Sequence, residues 1–162
     1  VSADRRYWDS DVFLGWLMDD QEKAPSCQGA IAAALAGRLQ IVTSALTLTE
    51  VVRLKGQPRL PRESEDKIRG FFEHDWIAVR DVDRFIAEEA RELIWSRNVK
   101  AKDSIHLATA LNLKLSQFDT FDRELHKLNG KLGNPPLTIT PPNVPYQPTL
   151  DGLEDRPSRK KP

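Results

Sequence analysis

Residues 102–125 read KDSIHLATALNLKLSQFDTFDREL. Asp103 stands at the mouth of an alanine-rich apolar helix over about Ser104–Leu113, and a short strand follows near Gln117 and Phe118. Asp119 and Asp122 then mark the turn into a further helix, about Phe121–Leu128, which ends at Asn129-Gly130. A helix, a strand and a helix in succession are the repeating unit of a parallel sheet. Acids at element ends, with apolar runs between them, look like a site rather than a solvated face.

Upstream, Val82, Phe85, Ile86, Ala90, Leu93 and Ile94 fall on one face of an amphipathic helix, opposite Asp83, Arg84, Glu88, Glu89 and Arg91. Trp76–Val79 precedes it as a strand, and Asn98–Lys102 links it to the opening stretch as a polar, basic loop. Pro61 suits the first position of a helix that buries Ile68, Phe71 and Phe72. Before that, Ile41–Ala45 reads as a strand and Thr47–Leu54 as a helix stopped by Gly56 and Pro58. Alanine dominates a helix over Gln28–Leu39, while the polar segment Asp19–Ser26, with Pro25, reads as a loop. Arg6–Asp9 is a strand candidate, and Val12, Phe13, Trp16 and Leu17 have helical spacing. Leu137–Thr140 supplies a last strand. The whole predicts an α/β domain built on a parallel sheet.

A chain of 162 residues suits one domain, burying roughly two thirds of the surface it exposes when unfolded. Lys plus Arg and Asp plus Glu each total 24, so net charge supplies no overall attraction to nucleic acid or anionic membrane. The lone cysteine, Cys27, excludes an internal disulfide and fits a reducing cytosol. IAAALAG is far below the roughly 20 apolar residues of a membrane span, and VSADRRYW has no signal-like apolar core. Six of the 11 prolines lie in the last 22 residues among charged groups. That composition predicts a disordered or surface-draped tail over 141–162, following a domain over 1–140.

Ligands of a parallel α/β sheet bind beyond the carboxyl ends of its strands. Asp9, Asp103, Asp119 and Asp122 fall at such places, with Glu50 just inside a helix that follows a strand. Each has a purely structural alternative. Thr47-x-x-Glu50 matches a capping box, Asp9 and Asp103 suit N-caps, and Asp122 lies where a helix dipole favours an acid. Gathered on one edge, however, such carboxylates repel one another and burial raises their pKa values unless a cation compensates. Mg²⁺ and Mn²⁺ take oxygen ligands of this kind and serve phosphodiester hydrolysis.

YWDSDVFL, SALTLTEVVRL, KDSIHLATAL and FDTFDREL, in this order and spacing, resemble the PIN-domain family and within it the VapC-type toxin ribonucleases of toxin–antitoxin pairs. The resemblance spans about residues 6–140. It implies a short twisted parallel sheet with helices on both faces and a metal-dependent endoribonuclease using Mg²⁺ or Mn²⁺. It carries over Asp9, Glu50, Asp103 and Asp122 as the metal-binding and catalytic acids, Asp119 as a further acid beside them, and Ser10 and Thr120 as supporting hydroxyls. It also implies an RNA substrate, a homodimer, and a small antitoxin lying across the acidic groove. Phe13, Trp16 and Leu17 are candidate surfaces for those protein contacts. Asp11 departs from the resemblance, standing where an uncharged polar residue is commoner; it either enlarges the acidic cluster or faces water.

Arg53, Lys100, Lys102 and Arg123 neighbour the acids in sequence and are candidate phosphate contacts. His106 lies one helical turn after Asp103, a spacing that allows a shared metal, but a packed or hydrogen-bonded histidine is the favoured reading. His74 and His126 carry no motif. The scattered Trp8, Trp16, Trp76 and Trp95 suggest core filling rather than base stacking. No glycine-rich phosphate loop, zinc spacing or nucleophilic serine motif is present. The rival to a nuclease is a non-catalytic interaction module whose acids serve as caps or meet a basic partner; an RNA-processing nuclease is a further alternative. A phosphoacceptor receiver domain lacks its lysine on a late strand.

Overall fold

The computed structural model describes residues 2–148. Five strands, β1 (Asp4–Trp8), β2 (Leu39–Ser44), β3 (Ile77–Arg80), β4 (Gln117–Asp119) and β5 (Thr138–Thr140), form one sheet in the order β3-β2-β1-β4-β5. Every neighbouring pair is parallel, with Tyr7 opposite both Val42 and Phe118, and Trp8 opposite Asp119. Side chains alternate across such strands, and the chain uses both faces. Trp8, Leu39, Ile41 and Ile77 meet α1 (Ser10–Leu17) and α2 (Ala24–Leu35) on one side. Tyr7, Val42, Phe118 and Ile139 meet α6 (Ala101–Asn112) on the other, together with Leu93 of α5 (Arg84–Arg97). The remaining helices are α3 (Ala45–Glu50), α4 (Glu65–Phe72) and the short α7 (Arg123–His126). The expected α/β sheet with helices on both faces is the observed architecture.

Aromatic packing fixes the first layer. Phe13 contacts the Trp8 ring edge-on at 5.2 Å and lies 4.9 Å from Phe72, with Phe71 beside both. Each large side chain fully buried here contributes about 1.5–3 kcal/mol. Phe13 is therefore core, and Trp16 and Leu17 pack against the same cluster. Phe13 is therefore not a free surface for a partner, which corrects the sequence expectation for that residue, while Trp16 and Leu17 are half-buried and keep part of their surface. The large apolar groups that do face solvent include Phe85 and Trp95 of α5, 61% and 81% exposed. Trp95 thus does not fill the core, and α5 buries only Ile86 and Ala90 of the face assigned to it.

Several boundaries move for identifiable reasons. Pro25 lies inside the first turn of α2, where its missing N–H costs nothing, so that helix begins earlier than the loop reading allows. Ser44, not Thr47, caps α3 by accepting from the Leu46 N–H, which leaves Glu50 at the helix end and dissolves the capping box. Thr47 instead pairs its hydroxyl with Thr43 at 2.7 Å. Pro61 precedes a single 3-10 turn, Arg62–Ser64, rather than opening an α-helix. The sequence 98–102 is shorter as a loop, because α6 already begins at Ala101.

Residues 141–148 pass back over α2. Asn143 Oδ1 accepts from Arg6 Nη1 at 3.3 Å and Gln147 Oε1 from Arg38 Nη1 at 2.8 Å, while Val144 packs on the first core. Gly29 permits this crossing: a Cβ there would sit 1.8 Å from the Val144 carbonyl oxygen. The rest of the proline-rich segment, 149–162, lies outside the described residues. Among the described residues no helix is long and apolar enough to cross a membrane.

Candidate active site

The strand order reverses beside β1. The chain builds outward to β2 and β3, then returns to lay β4 and β5 on the other flank. Connections leaving β1 and β4 diverge at such a point and open a crevice past the strand ends. Asp9 follows the last residue of β1, and its N–H donates to the Asp119 carbonyl at 3.1 Å, which stitches the two strand ends together.

Asp9 caps α1: Oδ1 accepts from the Ser10 N–H at 2.7 Å and lies 3.4 Å from the Ser10 hydroxyl. Thr120, just past β4, donates its hydroxyl toward Asp9 Oδ2 at 3.0 Å and accepts from the Asp122 N–H at 3.1 Å. Asp122 in turn caps α7, accepting from the Glu124 N–H at 2.9 Å. The cap expected of Asp9 is therefore real, and Asp122 serves as an N-cap rather than as the first-turn acid that the sequence suggests; each uses only part of a carboxylate. Asp103 is no cap. It is the third residue of α6, with Lys100 at the N-cap position, and is half-buried. Burial, then the charges of Asp9 and Asp122, push its pKa up to about 6, against opposing pulls from His106 and Lys100.

Glu50, at the end of α3, reaches the same place through a histidine. His106 Nε2 stands 2.5 Å from Glu50 Oε1 and 3.6 Å from Asp9 Oδ1. Its Nδ1 is 2.5 Å from the Tyr7 hydroxyl, and the ring is fully buried. Burial alone would lower the imidazole pKa; the Glu50 hydrogen bond and the charges of Asp9, Glu50 and Asp103 outweigh it and raise it. His106 is thus hydrogen-bonded and packed, the reading its sequence favours, but its partner is one of the candidate acids. The pattern carried half of this: His106 shares a helix face with Asp103, and Tyr7 shares a strand face with Asp9.

Asp11 turns inward instead of facing water. It accepts from the Phe121 N–H at 3.1 Å and lies 3.3 Å from the Thr120 hydroxyl. Burial and the neighbouring Asp9 push its pKa up to about 8, with Lys23 among the groups opposing. Lys23 was not singled out by the sequence; its ammonium sits 5.6 Å from the centre of the Phe121 ring.

Asp119 behaves differently from the other acids. Its carboxylate lies 3.2 Å from Arg6 Nη1 and accepts from Trp8 Nε1 at 3.0 Å and Gln117 Nε2 at 2.9 Å. These donors occupy it on the α1–α2 side of the sheet, apart from the Tyr7 and His106 side, so its expected place beside the cluster is corrected to a structural ion pair. Arg53, Lys100, Lys102 and Arg123 are all exposed. Among these four, Lys100 is the one whose charge lowers the pKa of Asp103, and its charge also reaches Glu124.

Asp9, Glu50, Asp103 and Asp122 offer the hard oxygen donors that Mg²⁺ and Mn²⁺ select. As the side chains stand, no three His, Cys, Asp or Glu among the described residues close on a single ion position. A family model described as PIN domain matches residues 6–131. Among solved structures the chain is similar to one described as "Toxin-antitoxin complex from Klebsiella pneumoniae", at TM-score 0.51 and 20% identity, over 75% of this chain and 89% of that chain. At this identity the likeness is one of fold. No curated protein matches the chain.

Proposed function

The chain belongs to the PIN domain family, and from that premise we propose that it is an endoribonuclease dependent on Mg²⁺ or Mn²⁺, the toxin of a toxin–antitoxin pair. One observation carries the reading. The Thr120 hydroxyl bridges Asp9 Oδ2 and the Asp122 N–H, and His106 Nε2 lies between Asp9 and Glu50, so several acids meet past the strand-order reversal; Asp103 beside them is raised by burial first and then by the charges of Asp9 and Asp122, a condition that a divalent cation would relieve. Such an ion supplies polarisation of a phosphodiester and activation of water at neutral pH. Asp9, Asp103 and Asp122 hold it in this reading, and Glu50 orients the water or a second ion. Ser10 and Thr120 steady Asp9 through their hydroxyls. Lys100, Lys102, Arg53 and Arg123 lie outside the acids as phosphate contacts, which brings a polyanion to a chain without net positive charge.

The remaining partners follow from the same reading: a second copy of the chain and a small antitoxin across the acidic groove, in the cytoplasm, where Cys27 stays a free buried thiol. The fold shared with a chain of the Klebsiella toxin–antitoxin complex supports an antitoxin partner.

A non-catalytic interaction module is the second reading. It is favoured by the capping duties of Asp9 and Asp122 and by the absence, among the described residues, of three donors gathered on one point. Cleavage of a structured RNA panel with Mn²⁺ or EDTA separates the two. Asp9→Asn and Asp122→Asn each should lower metal-dependent kcat by at least about a hundredfold while leaving the thermal midpoint nearly unchanged. Undiminished cleavage by both variants, or metal-independent cleavage by the wild type, would overturn the nuclease reading.

A further inference from the structure

The Tyr7–His106–Glu50 chain of contacts is not explained by stability alone. A neutral imidazole carries one N–H, so its two partners must divide the roles of donor and acceptor; in the charged ring, which the neighbouring acids favour, both nitrogens donate, and Nε2–H reaches Glu50 in either state. Tyr7 is fully buried between Phe118, stacked 4.8 Å away, and the His106 ring, edge-on at 5.8 Å. A phenol keeps its proton at neutral pH, so Tyr7 has an O–H to give. Donation from that O–H to Nδ1 leaves the imidazole proton on Nε2, which then donates to Glu50 Oε1. Tyr7 is in β1, His106 in α6 and Glu50 at the end of α3. The relay therefore ties an acid on the last residue of a six-residue helix to two side chains that are fully buried in a strand and a helix beside it.

The geometry points to His106 as the positioning residue of the site, holding the Glu50 carboxylate in a single orientation through Nε2–H, with Tyr7 fixing the tautomer that makes this possible. The inference rests on the nuclease reading and goes beyond it, since His106 touches neither RNA nor the reacting atoms. Two observations narrow the role of the ring. A buried imidazole needs partners on its ring nitrogens whatever its role, but here the partner of Nε2, at 2.5 Å, is the carboxylate of a candidate acid rather than a scaffold group. A direct metal ligand needs a free ring nitrogen, and none is left over. Supporting residues of this kind, which orient the groups that hold a metal, typically change affinity or activity by about 10–100-fold when removed.

The test uses the full chain. His106→Asn keeps an amide near the Nδ1 position and removes the donor to Glu50, whereas His106→Gln carries its amide out to the Nε2 position. Calorimetric Mn²⁺ affinity without RNA, and steady-state cleavage, are measured for both. His106→Asn should lose about 10–100-fold in Mn²⁺ affinity and kcat with KM for RNA nearly unchanged, and His106→Gln should recover most of the loss. In a Glu50→Gln background His106→Asn should add nothing, because it acts through the missing carboxylate. Tyr7→Phe retains the ring stack on Phe118, so it folds, and should show a smaller loss of the same kind. Equal damage from the Asn and Gln variants, full damage in the Glu50→Gln background, or wild-type behaviour of both His106→Asn and Tyr7→Phe would overturn the assignment. If His106 variants are silent while Asp9→Asn abolishes cleavage, the positioning role falls and the nuclease reading stands. If the wild type neither binds Mn²⁺ nor cleaves with it, both fall.

Discussion

Two groups of buried acid lie within a few residues of each other and are treated in opposite ways. Asp119 is matched by the chain itself: Arg6 supplies the charge, Trp8 and Gln117 fill its remaining lone pairs. Burial still raises its pKa, with the Arg6 charge as the main opposing influence. At the mouth of the crevice the charges of Asp9 and Asp122 act on Asp103, and the groups lowering its pKa are a histidine and one exposed lysine. A carboxylate supplied with its own cation is part of the scaffold. Carboxylates left to repel each other store a demand for a cation from solution. Sequence position does not separate the two classes, since Asp119 and Asp122 belong to the same FDTFD run; the strand pleat does, by sending Asp119 to the Trp8 side of the sheet.

The contrast breaks first at the ion pair. Asp119→Asn leaves Arg6, already with an unpartnered Nε, as a buried charge without a counter-ion. Urea unfolding should show a loss of about 3–5 kcal/mol, with Mn²⁺ affinity of the folded variant retained. A loss of metal binding without destabilisation would place Asp119 with the other acids after all. The converse experiment adds the missing cation. Mn²⁺ at a hundredfold excess over its dissociation constant should stabilise the wild type by about 2.7 kcal/mol, read as a rise of roughly 5–10 °C in thermal midpoint. Asp9→Asn should show little of that rise.

The smallest effect concerns the repulsion itself. The folded pKa of Asp103, about 6, lies above its ordinary 3.8, so the folded chain holds that proton more tightly than the unfolded chain. Its contribution to stability is full below about pH 3.8 and is lost as pH rises through 6. Asp103→Asn should therefore stabilise the metal-free chain at pH 7.5 by about 1 kcal/mol, discounted for the partial exposure of the group. Near pH 4 it should change little. Paired urea melts at the two pH values check the sign; a destabilised Asn variant at pH 7.5 would mean the acid is compensated.

What can be read from the sequence depends on the range of each signal. Strand and helix order is legible because alternation and helical spacing are local, and so is the cap at Asp9; the helix starts near Asp103 and Asp122 are misassigned because α6 starts two residues before Asp103 and α7 only after Asp122. The Thr47-x-x-Glu50 pattern misled because Ser44, three residues earlier, took the cap when β2 ran straight into α3. The His106–Glu50 contact spans 56 positions and Tyr7–His106 spans 99. No spacing rule reaches so far, and the carriers of the relay look like an ordinary strand tyrosine and helix histidine. Phe13 reads as a candidate surface residue for the same reason: part of its cover comes from Phe71 and Phe72 of α4, far along the chain.

The crossing at Gly29 also settles where handles can be attached. Thr140 ends β5 at the carboxyl edge of the sheet, and the chain then runs back to Gln147 beside Arg38, immediately before β2 starts. Ser2 lies just ahead of β1 at that same amino edge. Both ends of the described chain thus emerge roughly 15 Å, a strand's length, from the acids. A fluorophore or surface linkage at Ser2 or Gln147 is therefore attached at the edge of the sheet opposite the acids.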